Sequence, residues 1–179
     1  MSSVKPRPVA IACFGETLWD VLPLGIFLGG APLNVAYHLS RLGVTALPVS
    51  GVGHDFLGVE ARRRIAGWGV STDHIARLKL PTGTVLAELD TQGSAHYTIR
   101  TRVAWDRIPA SRVLRQRRAP AALVFGSLAL RSAANRAALT ELLLAWPEAL
   151  RIVDLNLRAP FDRGPGVAFA LHHAEFVKL

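Results

Sequence analysis

Cysteine occurs once in the 179 residues, at Cys13, and methionine once, at the N-terminus. A single cysteine in an apolar run cannot staple a fold internally and reads as a small buried hydrophobe. The six histidines show no pair at metal-ligand spacing. No stretch approaches the roughly 18 uninterrupted apolar residues of a membrane-spanning helix. The apolar segment after Pro8 is broken by Gly15, Glu16 and Asp20, so it does not read as a secretory signal. No phosphate-binding Gly-x-x-x-x-Gly-Lys loop is present, and the glycines of Gly51-Val52-Gly53 lack the spacing of a dinucleotide fingerprint. These absences argue against a disulfide scaffold, a zinc module, a membrane protein and a P-loop enzyme. They leave a cytoplasmic α/β domain as the expectation.

Half of the residues are hydrophobic and the net charge is +8. That composition supports a packed core and argues against disorder. The positive charge is mostly arginine, clustered at Arg62-Arg63-Arg64 and at Arg112, Arg115, Arg117 and Arg118. No aromatic residues interleave these clusters as in a single-strand binder. They read as solvated faces, with a basic nucleic-acid-binding module as the remote alternative.

Apolar periodicity predicts strands at Val9–Phe14, Ala46–Ser50, Ala121–Phe125, Arg151–Leu155 and Phe176–Leu179. Helices are expected at Leu33–Leu42, Phe56–Trp68 and Ala133–Trp146, with a weaker one at about Gly166–His172. Thr84–Leu89 and Ala95–Thr101 read as a hairpin joined by the turn Asp90-Thr91-Gln92-Gly93-Ser94. Strands alternating with helices imply βαβ units and a mostly parallel sheet, from which the hairpin projects. Such sheets bind ligands beyond the carboxyl ends of their strands. Polar and glycine clusters fall at those ends: Gly15-Glu16 with Asp20, Gly51-Val52-Gly53, Gly126-Ser127, and Asp154 with Asn156 and Arg158. Asp20 suits two neighbouring ligand hydroxyls, a solvated loop acid or a helix-cap partner. Arg158 suits phosphate oxygens or an internal ion pair with Asp154. Asp55 reads as a helix cap.

The run Gly29-Gly30-Ala31-Pro32-Leu33-Asn34-Val35-Ala36, continuing to Gly43, carries the most information. A glycine pair precedes a helix start with proline in its first turn, a geometry that exposes backbone N–H groups at a positive dipole end. Gly43 is placed to close the helix. This run closely resembles the N-terminal signature of the PfkB, or ribokinase-like, carbohydrate kinases, in its fructokinase form. Gly15-Glu16-Thr17-Leu18-Trp19-Asp20, the stretch from Gly51 to Gly58, Ala104-Trp105-Asp106 and Asp154-Leu155-Asn156-Leu157-Arg158 resemble further segments of the same family.

The resemblance implies a three-layer α/β/α fold with a small β lid built around residues 16–30 and 73–106, one partial kinase domain filling 1–179. It implies sugar contacts for Asp20, Gly29, Gly30, Asn34 and Asn156, with Tyr97 and Ile99 on the lid and Arg158 near the transferred phosphate. ATP and Mg²⁺ would serve the complete enzyme, fructose is the favoured acceptor, and a homodimer through the lid is implied. The family's second signature, Asp-Thr-x-Gly-Ala-Gly-Asp, does not occur in the sequence. Its last aspartate is the family's general base, expected beyond Leu179, so no catalytic residue is assigned here. The expectation is the N-terminal part of a sugar kinase, with the C-terminal part of the fold missing and poor stability alone. The alternatives are an inactive sugar-binding remnant and a half-enzyme that pairs with a separate C-terminal part.

Overall fold

The computed structural model describes residues 9–89, 95–115 and 118–179. The turn expected at Asp90–Ser94, and Arg117 of the second basic cluster, lie outside the described residues.

The first strand, β1 (Ala10–Phe14), is followed by two strands of a small sheet, β2 (Leu18–Leu22) and β3 (Gly25–Gly29), and then by helix α1 (Ala31–Arg41). The chain continues through β4 (Thr45–Gly53), α2 (Phe56–Gly67), β5 (Ile75–Leu78), β6 (Gly83–Leu89) and β7 (Ala95–Ile99). A short helix α3 (Ser111–Leu114), β8 (Ala122–Gly126), α4 (Ala133–Ala145), β9 (Leu150–Asp154), α5 (Pro165–His173) and β10 (Phe176–Lys178) complete it.

Among the described residues, six parallel strands form the large sheet in the order β10-β9-β8-β1-β4-β5. The order turns back on itself between β1 and β8. Four of the described strands form the second sheet, in the order β3-β2-β6-β7, with β2 and β6 parallel and the outer pairs antiparallel. Residues 73–106 are thus divided between the sheets: β5 extends the large one, and β6 and β7 belong to the small one.

Strand alternation sets the layers. Ala12, Phe14, Leu123, Phe125 and Val153 meet Leu139 and Leu142 of α4 and Ala170 of α5 on one face. Cys13, Val124 and Ala46 meet Ala36, Val35 and Leu39 of α1 on the other. Burial pushes the Cys13 thiol up to about 12, as befits a packing residue.

Local signals explain most element ends. Helix α1 begins at Ala31, two residues before the expected start, and Pro32 occupies its first turn. At its other end Gly43 adopts φ 78°, and Gly43 and Val44 donate to the carbonyls of Ser40 and Leu39. That is the Schellman pattern, and it requires the left-handed conformation that glycine adopts at little cost. Asp55 caps α2: its carboxylate accepts from the Gly58 N–H at 2.9 Å and from the Thr82 N–H at 2.7 Å. Burial raises the Asp55 pKa, but the hydrogen bonds from Thr82 and Gly58 outweigh it and hold the carboxyl below its ordinary value. Its stabilisation is therefore present above the ordinary aspartate range and fades as pH falls through the lowered value. Asp55→Ala should cost roughly 1–3 kcal/mol in urea unfolding at neutral pH. The deficit should narrow in acid; a deficit that does not change with pH would refute the carboxylate's role.

Strand β4 runs three residues past its expected end because β5 pairs with Ser50–Gly53. A Cβ at Gly51 would fall 2.7 Å from the Ala104 carbonyl oxygen, so this strand glycine allows the 104 segment to cross closely. The basic cluster on α2 is committed locally. Arg63 and Arg64 pair with Glu60, and Arg62 donates to the carbonyls of Thr72 and Ile75.

Candidate sugar-binding cleft

An open sheet binds ligands where its strand order reverses, outside the carboxyl ends of the strands. In this fold that crevice lies beyond β1 and β8, and the small sheet stands beside it. A cleft of about 730 Å³ occupies the position, within the usual range for small-molecule sites. Glu16, Leu128, Asp154, Asn156 and Arg158 reach it from the large-sheet loops, Gly30, Ala31 and Asn34 from the start of α1, and Leu18, Asp20, Val85, Tyr97 and Ile99 from the small sheet.

Of the sequence-predicted residues, Asp20, Gly30, Asn34, Tyr97, Ile99, Asn156 and Arg158 all line this one cleft. Gly29 does not line it. It stands behind Asp20, and any Cβ there would collide with the Asp20 carboxylate. Gly30 has φ 119°, and a Cβ on it would strike the Glu16 carbonyl. The glycine pair therefore has a packing role: it lets the β3–α1 turn close over Glu16 and Asp20.

Asp20 lies in β2, opposite Phe27 of β3 and Val85 of β6. It is half-buried, and desolvation raises its pKa while the Arg158 charge lowers it in part. Arg158 is exposed, lies 5.4 Å from the Tyr97 ring centroid and donates to the Leu157 carbonyl. It thereby links the loop after β9 to the small sheet. The possible Asp154–Arg158 ion pair is not the one formed. Asp154 instead pairs with Lys178 of β10 at 2.9 Å, which leaves the Arg158 guanidinium directed at the Tyr97 side of the cleft.

Glu16 forms part of the cleft floor and was legible in the sequence only as a member of the Gly15-Glu16 cluster. It is 3% exposed. One carboxylate oxygen accepts from the Ala31 N–H at 3.0 Å, supplying the cap that Gly30 cannot. The other oxygen is buried and accepts no hydrogen bond from the described residues. Desolvation raises the Glu16 pKa; the Glu16 and Ala31 backbone hydrogen bonds oppose it, Asp154 adds to it and Arg131 opposes it. The folded state therefore holds this proton more tightly than the unfolded chain. Its contribution to stability is complete below the ordinary glutamate value of 4.5 and is lost as pH rises through the raised folded-state value. Glu16→Gln keeps the acceptor for Ala31 and removes the ionisation. Its thermal midpoint should fall less, or rise more, than that of the parent chain as pH goes from about 5 to 8. Parallel curves would show that Glu16 does not titrate anomalously.

Among the described residues no three His, Cys, Asp or Glu side chains converge on a metal-sized site. No helix is long and apolar enough to cross a membrane among the described residues.

The mostly parallel α/β sheet with a small β sheet beside it matches the fold of the ribokinase-like sugar kinases. The chain belongs to the pfkB family of carbohydrate kinases, whose family model it matches over residues 9–179. It is 35% identical over 98 residues to the fructokinase of Escherichia coli, a match covering 51% of this chain and 32% of that protein. An uncharacterized sugar kinase of Pyrococcus horikoshii, in complex with ATP, superimposes with a TM-score of 0.80 at 26% identity, over 93% of this chain and 62% of the other. The fructokinase of Xylella fastidiosa with bound ATP gives a TM-score of 0.80 at 27% identity, over 94% of this chain and 56% of the other. The chain thus spans less than two thirds of the length of these relatives.

Proposed function

We propose that this chain forms the sugar-accepting part of an ATP-dependent sugar kinase of the fructokinase type, with fructose as the favoured acceptor. The observation that carries this reading is the placement of Asp20 and Arg158 in one cleft at the switch point, with Asn34 and Asn156 beside them. Asp20 accepts hydrogen bonds from neighbouring sugar hydroxyls, and Asn34 and Asn156 supply uncharged polar contacts. Val85, Tyr97 and Ile99 form a lid wall that keeps water from the acceptor.

In the reaction the sugar's primary hydroxyl oxygen bonds to the γ-phosphorus of ATP, the bond to the ADP oxygen breaks, and the hydroxyl proton passes to a base. Arg158 meets the negative charge on the transferred group. No residue of this chain is assigned as the base. ATP as donor is supported by the two relatives that hold it, and Mg²⁺ would accompany it as part of the substrate.

In a second reading, the chain binds sugar without turning it over unless a separate polypeptide completes it. A cytoplasmic location and a homodimer through the small sheet accompany either reading. A coupled ADP-release assay with ATP, Mg²⁺ and fructose, run beside fructose calorimetry on the same chain, separates the two. Turnover supports the kinase reading, binding without turnover supports the second, and neither binding nor turnover overturns both.

A further inference from the structure

A second cleft, of about 710 Å³, lies between the β5–β6 connection, the segment after β7 and the start of α4. It shares no lining residue with the sugar cleft. Four cationic side chains face it, Lys79, Arg102, Arg107 and Arg131, against one acid, Asp106. That acid is already committed: Asp106 accepts from Arg131 Nε at 2.9 Å and Nη2 at 3.1 Å, and from the Val103 N–H at 3.2 Å. The cleft therefore carries a net positive charge that its own carboxylate does not cancel. No described residue forms an ion pair with Lys79, Arg102 or Arg107.

Arg131 is held rigidly. Its guanidinium lies 4.0 Å from the Trp105 ring centroid and 4.5 Å from that of Phe161, and Nη2 also donates to the Arg100 carbonyl. Its side chain is 10% exposed. The remaining nitrogen, Nη1, is buried without a hydrogen-bond partner among the described residues. Three exposed cations beside this fixed guanidinium match the demands of a compact multivalent oxyanion.

We propose that this second cleft binds a phosphate group, either as inorganic phosphate or as the headgroup of a small phosphate monoester. Lys79, Arg102 and Arg107 supply the attraction, the fixed Arg131 guanidinium adds to the positive field, and Leu78, Leu80 and Phe161 wall the space for an organic remainder. The site is independent of the sugar-kinase reading.

The test is calorimetric titration of the full chain with inorganic phosphate and, separately, with glycerol 3-phosphate, at ionic strength fixed with chloride. Saturable binding of either probe is expected, weakened by about tenfold or more in the double variant Lys79→Ala/Arg107→Ala and in Arg102→Ala. All three are surface truncations, and unchanged thermal midpoints would show that the variants fold. Arg63→Ala should bind phosphate as the parent does, which separates this site from general basicity. Tighter binding of the monoester identifies an esterified ligand, and equal binding identifies the bare phosphate group; either supports the site. No saturable binding of either probe, or equal affinity in the charge-deleted variants, overturns it.

Discussion

Asp20→Ala is expected to lower fructose affinity by about 100-fold or more. Charge-assisted hydrogen bonds contribute roughly 1.5–3 kcal/mol each, and a carboxylate facing two neighbouring hydroxyls forms two. Asp20→Asn should fall between the parent and the alanine variant, because it keeps one acceptor oxygen and loses the charge. The packing behind the residue sharpens the expectation. Gly29 leaves no Cβ where the Asp20 carboxylate sits, so the side chain is held in the cleft by close backbone contact. Desolvation raises the Asp20 pKa and Arg158 offsets only part of that, so the group protonates above the ordinary aspartate value of 3.8. Fructose affinity should therefore weaken with falling pH earlier than an exposed aspartate would predict, and the alanine variant should lack this step. Calorimetry on parent and variants across pH checks both statements. Undiminished affinity in Asp20→Ala would remove this residue from the site.

Asn135→Leu should destabilise the chain by roughly 3–5 kcal/mol, the largest loss expected from any single polar side chain here. Asn135 sits in the first turn of α4 and is fully buried. Its Nδ2 donates to the carbonyls of Trp105 and Ala129, both at 2.8 Å, and its Oδ1 accepts from the Ile108 N–H at 2.9 Å. One amide thus ties the 104–108 segment and the turn at Ala129 to the start of α4. Leucine has similar bulk but would leave two carbonyls and one N–H buried without partners. Urea unfolding measures the loss, with Glu141→Ala on the exposed face of the same helix as the control, expected within about 0.5 kcal/mol of the parent. A small effect at Asn135 would mean that water satisfies those groups.

Nothing in the local sequence around Asn135 announces this role. Asparagine near a helix start reads as a capping candidate, and only the long-range crossing of the 104–108 segment makes it a hub. The same holds for Arg131, one of many arginines until Trp105, Phe161 and Asp106 close around it. Strand β5 escaped detection because it has four residues and carries Arg77 within an otherwise apolar run. Its strand character comes from pairing with β4, a partner more than twenty residues earlier. Likewise β2 and β3 are too short for clear alternation and gain their identity from each other and from β6.

What the sequence determined by itself is local in origin. Alternating apolar residues marked the central strands, and the caps at Asp55 and Gly43 marked helix ends through side-chain and φ preferences that need no distant partner. The clustering of glycine and polar residues at strand ends marked the side on which a ligand sits. Tertiary structure alone decided which of those ends meet at the switch point, that Asp154 pairs with Lys178 so that Arg158 is left to the cleft, and that four scattered cations line a second one. Those choices depend on contacts between residues far apart in the chain, whose energies arise only once the sheet order is fixed.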